Sequence, residues 1–194
     1  MIFAKKIANP KILKTPLAFL LLVIFLGLLP HSLLAKEKAD LAGVKMSFDE
    51  PNPKLWEITQ KEFFPEKNAG IILYTHVPVY NKKKQAIRPT IGIVYEKFPE
   101  PPEDTIVYSI NMRMRMPFEP KEVLTHEDGS LIEKYAVGYT AEMDQQKIKH
   151  SLIIVHMLRG KVGVQIICDS TSDVMNQVEP DMRKFIKSVT LDEK

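Results

Sequence analysis

Cysteine is almost absent from this chain: Cys168 stands alone among 194 residues. One thiol excludes a disulfide within the chain, even in an oxidising compartment. Long apolar runs are missing too. The run LAFLLLVIFLGLL, Leu17 to Leu29, stops at Pro30, short of the about 20 residues that a membrane-spanning helix needs. There is no GxSxG, no phosphate-cradling GxxxxGK[ST], no HExxH, no GxGxxG and no calcium loop. Each of those patterns places a nucleophile, a backbone anion cradle or a metal-ligand pair. Without them nothing positive points to an enzyme, and no cofactor or metal is expected. Charge of one sign is also lacking beyond the amino-terminal segment. Of 27 basic side chains, Lys5, Lys6, Lys11 and Lys14 lie in residues 1–35, which carry no acid; the other 23 face 24 acids, a net of −1. That balance leaves no electrostatic footprint for nucleic acid.

What the first 35 residues do have is an address. A basic front before a short apolar core is the layout of a secretory signal. Ser32-Leu33-Leu34-Ala35 offers cleavage after Ala35, with Leu33 where a small residue is preferred. Left uncleaved, the segment would be an N-terminal membrane anchor, extended past Pro30 by Leu33 and Leu34. In both forms the basic flank holds the amino terminus in the cytoplasm, and the rest is expected in the periplasm or cell envelope. No cysteine near Ala35 is available for lipid modification. Residues 36–42 (KEKADLA) read as a flexible linker, and 43–194 as one domain. At about 150 residues such a domain buries roughly 70% of its unfolded surface and needs no staple.

From Gly43 onward short apolar stretches alternate with turn residues. Val44, Met46 and Phe48 alternate with Lys45, Ser47 and Asp49, the period of a half-buried strand. WEITQKEF (56–63), IILYTHVPV (71–79) and IGIVYEKF (91–98) follow, rich in β-branched and aromatic residues and bounded by Asn, Gly and Pro. YNKKKQAIRPT (80–90) reads as a loop. PEPPED (99–104) suits a helix entrance, and Ile106, Val107, Ile110 and Met114 continue at helical spacing to about Met116-Pro117. Asp128-Gly129 marks a hairpin turn. SLIEKYAVGYT, IKHSLIIVHML and KVGVQIICD then form an antiparallel meander, the last two joined at Arg159-Gly160. Val174, Val178, Met182, Phe185, Ile186 and Val189 make one helical stripe, with Pro180 inside it kinking or restarting the helix.

Chemistry-bearing residues concentrate in IICDSTSDV (166–174). Val162, Val164, Ile166 and Cys168 share one strand face, which should meet the core, where free cysteine behaves as a small hydrophobe. Ser170 and Asp173 match a capping box. The stretch thus reads as strand end, cap and helix; the rival is a hydrolase site around Cys168 or Asp169, which would need an exposed, electropositive thiol. His150 and His156 fall on one face of a strand, roughly 20 Å apart at about 3.3 Å per residue, too far for one metal with bonds near 2 Å. They read as edge or surface histidines, against a small-molecule or metal cleft that borrows His76 or His126. Met112, Met114 and Met116 read as core, with an adaptable binding surface as the alternative. Lys82, Lys83, Lys84 and Arg88 gather on the 80–90 loop. They are a solvated loop or, on the sharper reading, a docking patch for an acidic envelope protein or anionic lipid head groups.

Three stretches carry a resemblance: FDEPNPKLWEI (48–58), DGSLIEKYAVGY (128–139) and VGVQIICDSTSDVMNQVEPDMRKFIKSV (162–189). The chain resembles the PsbP-like family over residues 43 to 190. That family includes an extrinsic photosystem subunit, a Ran-binding nuclear protein and many exported bacterial proteins. Its Ser/Thr-rich strand–helix junction, helix proline and F-x-x-I-x-x-S close correspond here to Ser170–Ser172, Pro180, Phe185 and Ser188. The resemblance implies an α+β fold, an α/β/α sandwich on a mainly antiparallel sheet. It implies a non-enzymatic binding, assembly or chaperone-like role, with no catalytic residues to carry over. The long basic loop at 80–90 departs from the short turn expected there.

Overall fold

The computed structural model describes residues 37–193 except 42, 43, 117 and 132. The signal or anchor at 1–35 lies outside the described residues. Twelve strands and two α-helices follow in order: β1 (Glu37–Leu41), β2 (Val44–Phe48), β3 (Trp56–Phe64), β4 (Ala69–His76), β5 (Val79–Tyr80), β6 (Ala86–Ile87), β7 (Thr90–Lys97), α1 (Thr105–Arg113), β8 (Glu119–Leu124), β9 (Val137–Gln145), β10 (Ile148–Arg159), β11 (Val162–Thr171), α2 (Met175–Ile186) and β12 (Thr190–Glu193). The fold is α+β. No described helix is long and apolar enough to cross a membrane.

Seven strands form one antiparallel sheet in the order β3-β4-β7-β11-β10-β9-β8. The expected meander is its heart. His150 to Arg159 of β10 pairs with Val162 to Thr171 of β11, and Ile148 to His156 pairs with Val137 to Gln145 of β9. The β10–β11 connection is Gly160-Lys161, one residue later than the spacing suggested, with Gly160 at φ 51°. Gln146 and Lys147 turn the chain from β9 to β10 with φ 51° and 67°, the paired positive angles of a tight hairpin.

Because side chains alternate, the sheet has two distinct faces. One carries Val162, Val164, Ile166 and Cys168 beside Ile91, Ile93, Ile153, Val155 and Met157, all buried. Against it lie α2, through Val178, Met182, Phe185 and Ile186, and a small sheet β1-β2-β12, through Val44, Met46, Phe48 and Leu191. Each fully buried aliphatic or aromatic side chain contributes about 2 kcal/mol of transfer free energy, so this face is the main core. Pro180 is accommodated inside a continuous α2.

The opposite face carries Tyr139, Ile154, His156, Gly163 and Gln165, and α1 packs on it over β10 and β9. Gly163 is needed there: a Cβ would stand 2.7 Å from Tyr108 Cζ and 2.8 Å from Phe98 Cε2.

Four expectations are corrected. Glu37–Leu41 is not a loose linker but strand β1, hydrogen-bonded to β2; backbone pairing at an edge does not require an apolar pattern. The first helix ends at Arg113; its Ile106 and Ile110, and Met114 at the C-cap, are exposed while Thr105, Tyr108, Ser109 and Met112 are buried. Only Met112 of the three methionines is therefore core; Met114 is exposed and Met116 partly so. Ser170 and Asp173 form no capping box. Strand β11 runs on through Thr171, α2 starts at Met175, and Val174 at its N-cap provides no side-chain bond.

Candidate functional site

Most of the 80–90 segment is a short hairpin, not an open loop, and Thr90 already belongs to β7. β5 and β6 pair Val79 with Ile87 and Tyr80 with Ala86. Asn81 organises the tip. Its Oδ1 accepts from the backbone N–H of Lys83 (3.0 Å) and Gln85 (2.9 Å). Its Nδ2 donates to Gln85 Oε1 and to Asp173 Oδ2, both at 2.9 Å. Asx-type turns of this kind hold the backbone without a helix or ladder; Lys84 takes the left-handed conformation at φ 61°. Asp173 is fixed in turn by Thr171 Oγ1 at 2.6 Å. That bond, then Asn81 and the charge of Lys83, keep its carboxyl below the usual range.

The tip therefore presents Lys82, Lys83 and Lys84, all exposed, from a hairpin tied to the start of α2. Tyr80 beside them is also exposed. None of the three lysines joins an ion pair among the described residues. Arg88 does not belong with them: its Nη2 is 2.7 Å from Glu57 Oε1 on β3. The candidate patch is the three lysines.

The histidines separate. His156 is fully buried under α1, which corrects its reading as a surface residue. Its Nδ1 lies 2.9 Å from Ser109 Oγ, and its Nε2 lies 2.9 Å from Gln165 Nε2. An amide nitrogen only donates, so Nε2 accepts and Nδ1–H donates to the serine. His76 is buried edge-on to Trp56, ring centroids 4.7 Å apart, with Nδ1 donating to Val77 O at 2.6 Å. His126 Nδ1 lies 3.3 Å from Leu131 O, in the turn that Asp128 caps. His150 Nδ1 meets Asp169 Oδ1 at 2.8 Å, and this bond raises the histidine pKa. Among the described residues no three His, Cys, Asp or Glu side chains gather for a metal.

Cys168 is 0% exposed on the core face, and burial pushes its thiol far above the usual range. Asp169 next to it points to the other face, toward His150. The thiol and the imidazole thus lie on opposite sides of the sheet, which overturns a Cys168 nucleophile. Thiol reagents are expected to label native Cys168 at least 100-fold more slowly than in urea, where the thiolate is accessible; labelling at the unfolded rate would place the thiol in a solvent crevice.

The fold is shared with LpqN. The solved structure titled "Crystal structure of LpqN involved in cell envelope biogenesis of Mycobacterium tuberculosis" matches 80% of this chain and 89% of its own, with a TM-score of 0.53 and 12% identity. No protein-family model and no curated protein matches the chain. At 12% identity the likeness to LpqN is one of backbone architecture, and side-chain roles rest on this chain alone. Sequence reasoning located the lysine cluster but missed its anchor. The Asn81–Asp173 and Arg88–Glu57 contacts join residues distant in the chain, and no local pattern announces them.

Proposed function

We propose that this chain is an exported, non-catalytic interaction or assembly-factor domain, PsbP-like in its α/β/α sandwich. It works at the cell envelope through protein–protein contacts, with the 81–85 tip as one contact. The observation that carries this reading is the pinned hairpin, whose three ammonium groups join no ion pair among the described residues. A surface loop held in one conformation loses less entropy on binding than a free one, and clustered cations steer acidic partners. The involvement of LpqN in cell envelope biogenesis and the signal-like first segment support the location. Anionic lipid head groups are the alternative occupant of the same lysines.

The test is an affinity pull-down with the full chain from its own envelope fraction. The triple substitution Lys82→Gln, Lys83→Gln, Lys84→Gln is expected to lower recovery of at least one partner about tenfold at low salt, and added salt to do the same to the wild type. Retention of every partner by the triple variant would remove the tip from the proposal.

The Asp169–His150 pair favours a second reading, a small-molecule or metal site. A carboxylate on one ring nitrogen orients the other, the usual support of a ligating histidine. Equilibrium dialysis against zinc, copper and manganese tests it. Stoichiometric binding abolished by His150→Ala would favour this reading over the first, and no binding would end the metal form of it.

A further inference from the structure

A cavity of about 670 Å³ opens in the mouth of the β8–β9 connection, a volume in the usual range for small-ligand sites. The two strands pair as far as Leu124 and Gly138 and then part. Val123, Leu124, Ala136 and Val137 give the cavity an apolar lining, and His126, Glu127 and Lys134 line it too. The turn between the strands is held without using those three. Asp128 Oδ2 accepts from Thr125 N at 3.2 Å and Oδ1 from Ser130 N at 2.7 Å. Thr125 Oγ1 accepts from Asp128 N at 3.2 Å, and Gly129 takes φ 73°. Lys134 and Glu127 carry opposite charges on one cavity. Neither joins an ion pair, with the other or with a third side chain, among the described residues. A carbonyl only accepts, so His126 Nδ1 donates to Leu131 O at 3.3 Å, which leaves Nε2 of the neutral ring as an acceptor. A cation and an anion that share a cavity without pairing suit a ligand that carries both charges.

The sheet adds a second feature. β8 is its last strand, and alternate residues of an edge strand turn N–H and C=O away from the sheet. The start of this edge is blocked. Pro120 has no N–H to offer, the register shifts between Pro120 and Glu122, and Lys121 is drawn to Glu119 and Glu142. The end of the edge, at the cavity, carries no such block, and Val123 there is 66% exposed. An extended peptide can lengthen a sheet at an open edge, with main-chain bonds giving affinity and side-chain pockets giving specificity.

We propose that this cavity binds a short peptide with free termini and aliphatic side chains. Lys134 takes its carboxylate, Glu127 and His126 Nε2 take its ammonium group, the apolar lining takes its side chains, and the end of β8 takes its amide. A fatty acid would leave Glu127 without a partner, and a simple amine would leave Lys134 without one. A single amino acid has no amide for the strand.

Titration of the isotope-labelled full chain with the dipeptide Leu-Leu, in mild detergent and read by backbone amide chemical shifts, tests the site. The wild type is expected to bind with a dissociation constant of about 0.1–1 mM, with shifts confined to the residues around the cavity. N-acetyl-Leu-Leu lacks the ammonium group, Leu-Leu amide lacks the carboxylate, and leucine lacks the amide bond; each is expected to bind at least tenfold more weakly. Hexanoate, a carboxylate on an apolar chain, is expected to do the same. Lys134→Gln should bind Leu-Leu and its amide alike, and Glu127→Gln should bind Leu-Leu and its acetylated form alike, because each variant has lost the group that told the two ligands apart. Both side chains are exposed, and circular dichroism checks that the variants are folded. The proposal would be overturned by no shift at about 10 mM Leu-Leu or by shifts away from the cavity. Equal binding of leucine, hexanoate or the acetylated peptide by the wild type would overturn it too, as would full discrimination retained by both folded variants.

Discussion

Taking the protein from pH 7 to pH 4 is expected to remove about 3 kcal/mol of folding stability through His156 alone. Burial, with the Arg113 charge second, lowers its pKa from 6.5 to about 4. The groups that face it come from three elements. Helix α1 supplies Ser109, Arg113 and the Tyr108 ring, whose centroid is 5.6 Å away; β9 supplies Tyr139 at 5.7 Å; β11 supplies Gln165. Glu96 stands behind Tyr108, 3.5 Å from its hydroxyl. None of these lies in hydrogen-bond contact as an anion. A protonated ring would need two acceptors, and the Gln165 amide would have to turn, leaving Met116 Sδ. The folded pKa lies below the unfolded one, so the unfolded chain binds more protons between them. Stability is complete above about pH 6.5 and falls as the pH drops toward 4. His150 acts the other way: Asp169 raises its pKa, so its contribution is present below about 6.5 and is lost as the pH rises through the folded value. Urea unfolding of the wild type and His156→Gln across this range separates the two. The stability gap between them should close by about 3 kcal/mol on acidification; a gap independent of pH would mean that His156 is not held neutral.

The same helix shows how far sequence carries. The β9–β10–β11 meander and the α2 stripe were legible because periods of two and 3.6 match burial directly. Val162, Val164, Ile166 and Cys168 are all buried, as are Val174, Val178, Met182, Phe185, Ile186 and Val189. For α1 the period was right and the side was wrong. The sheet beneath offers His156, Gln165 and the bare backbone of Gly163, which take Ser109 and the flat ring of Tyr108. A polar, recessed surface is best met by polar and aromatic side chains, and the aliphatic residues are left to solvent. Ser170 and Asp173 matched a capping pattern, but Ser170 and Thr171 are claimed first by pairing with Ser151 and His150 on β10. At the candidate site the cluster of lysines was visible as charge. Its rigidity was not, because it depends on Asp173 arriving from another part of the chain.

Phe185→Ala is expected to cost about 3–5 kcal/mol, the range for a large buried aromatic whose site cannot collapse. Phe185 is 2% exposed. Its ring meets Phe48 of β2 edge-on with centroids 5.4 Å apart, and lies 6.0 Å from Tyr74 of β4. Phe48 also meets Tyr74 edge-on at 6.4 Å. Three elements from separate parts of the chain thus close on one another through three rings, and neither β2 nor β4 can move into the space left by Phe185 without breaking the remaining Phe48–Tyr74 contact. Phe185→Leu keeps most of the volume and should cost about 1 kcal/mol. Phe48→Ala should approach the cost of Phe185→Ala, and the double variant should lose less than the two together by about 0.5–1.5 kcal/mol, the share held by the ring pair. Urea midpoints measure all four, and thermal midpoints should fall by roughly 10 °C for the alanine variants. A loss below about 1 kcal/mol for Phe185→Ala would mean that α2 and the small sheet do not seal the large one, and in that case Cys168, which lies under the same layer, would react with thiol reagents without unfolding.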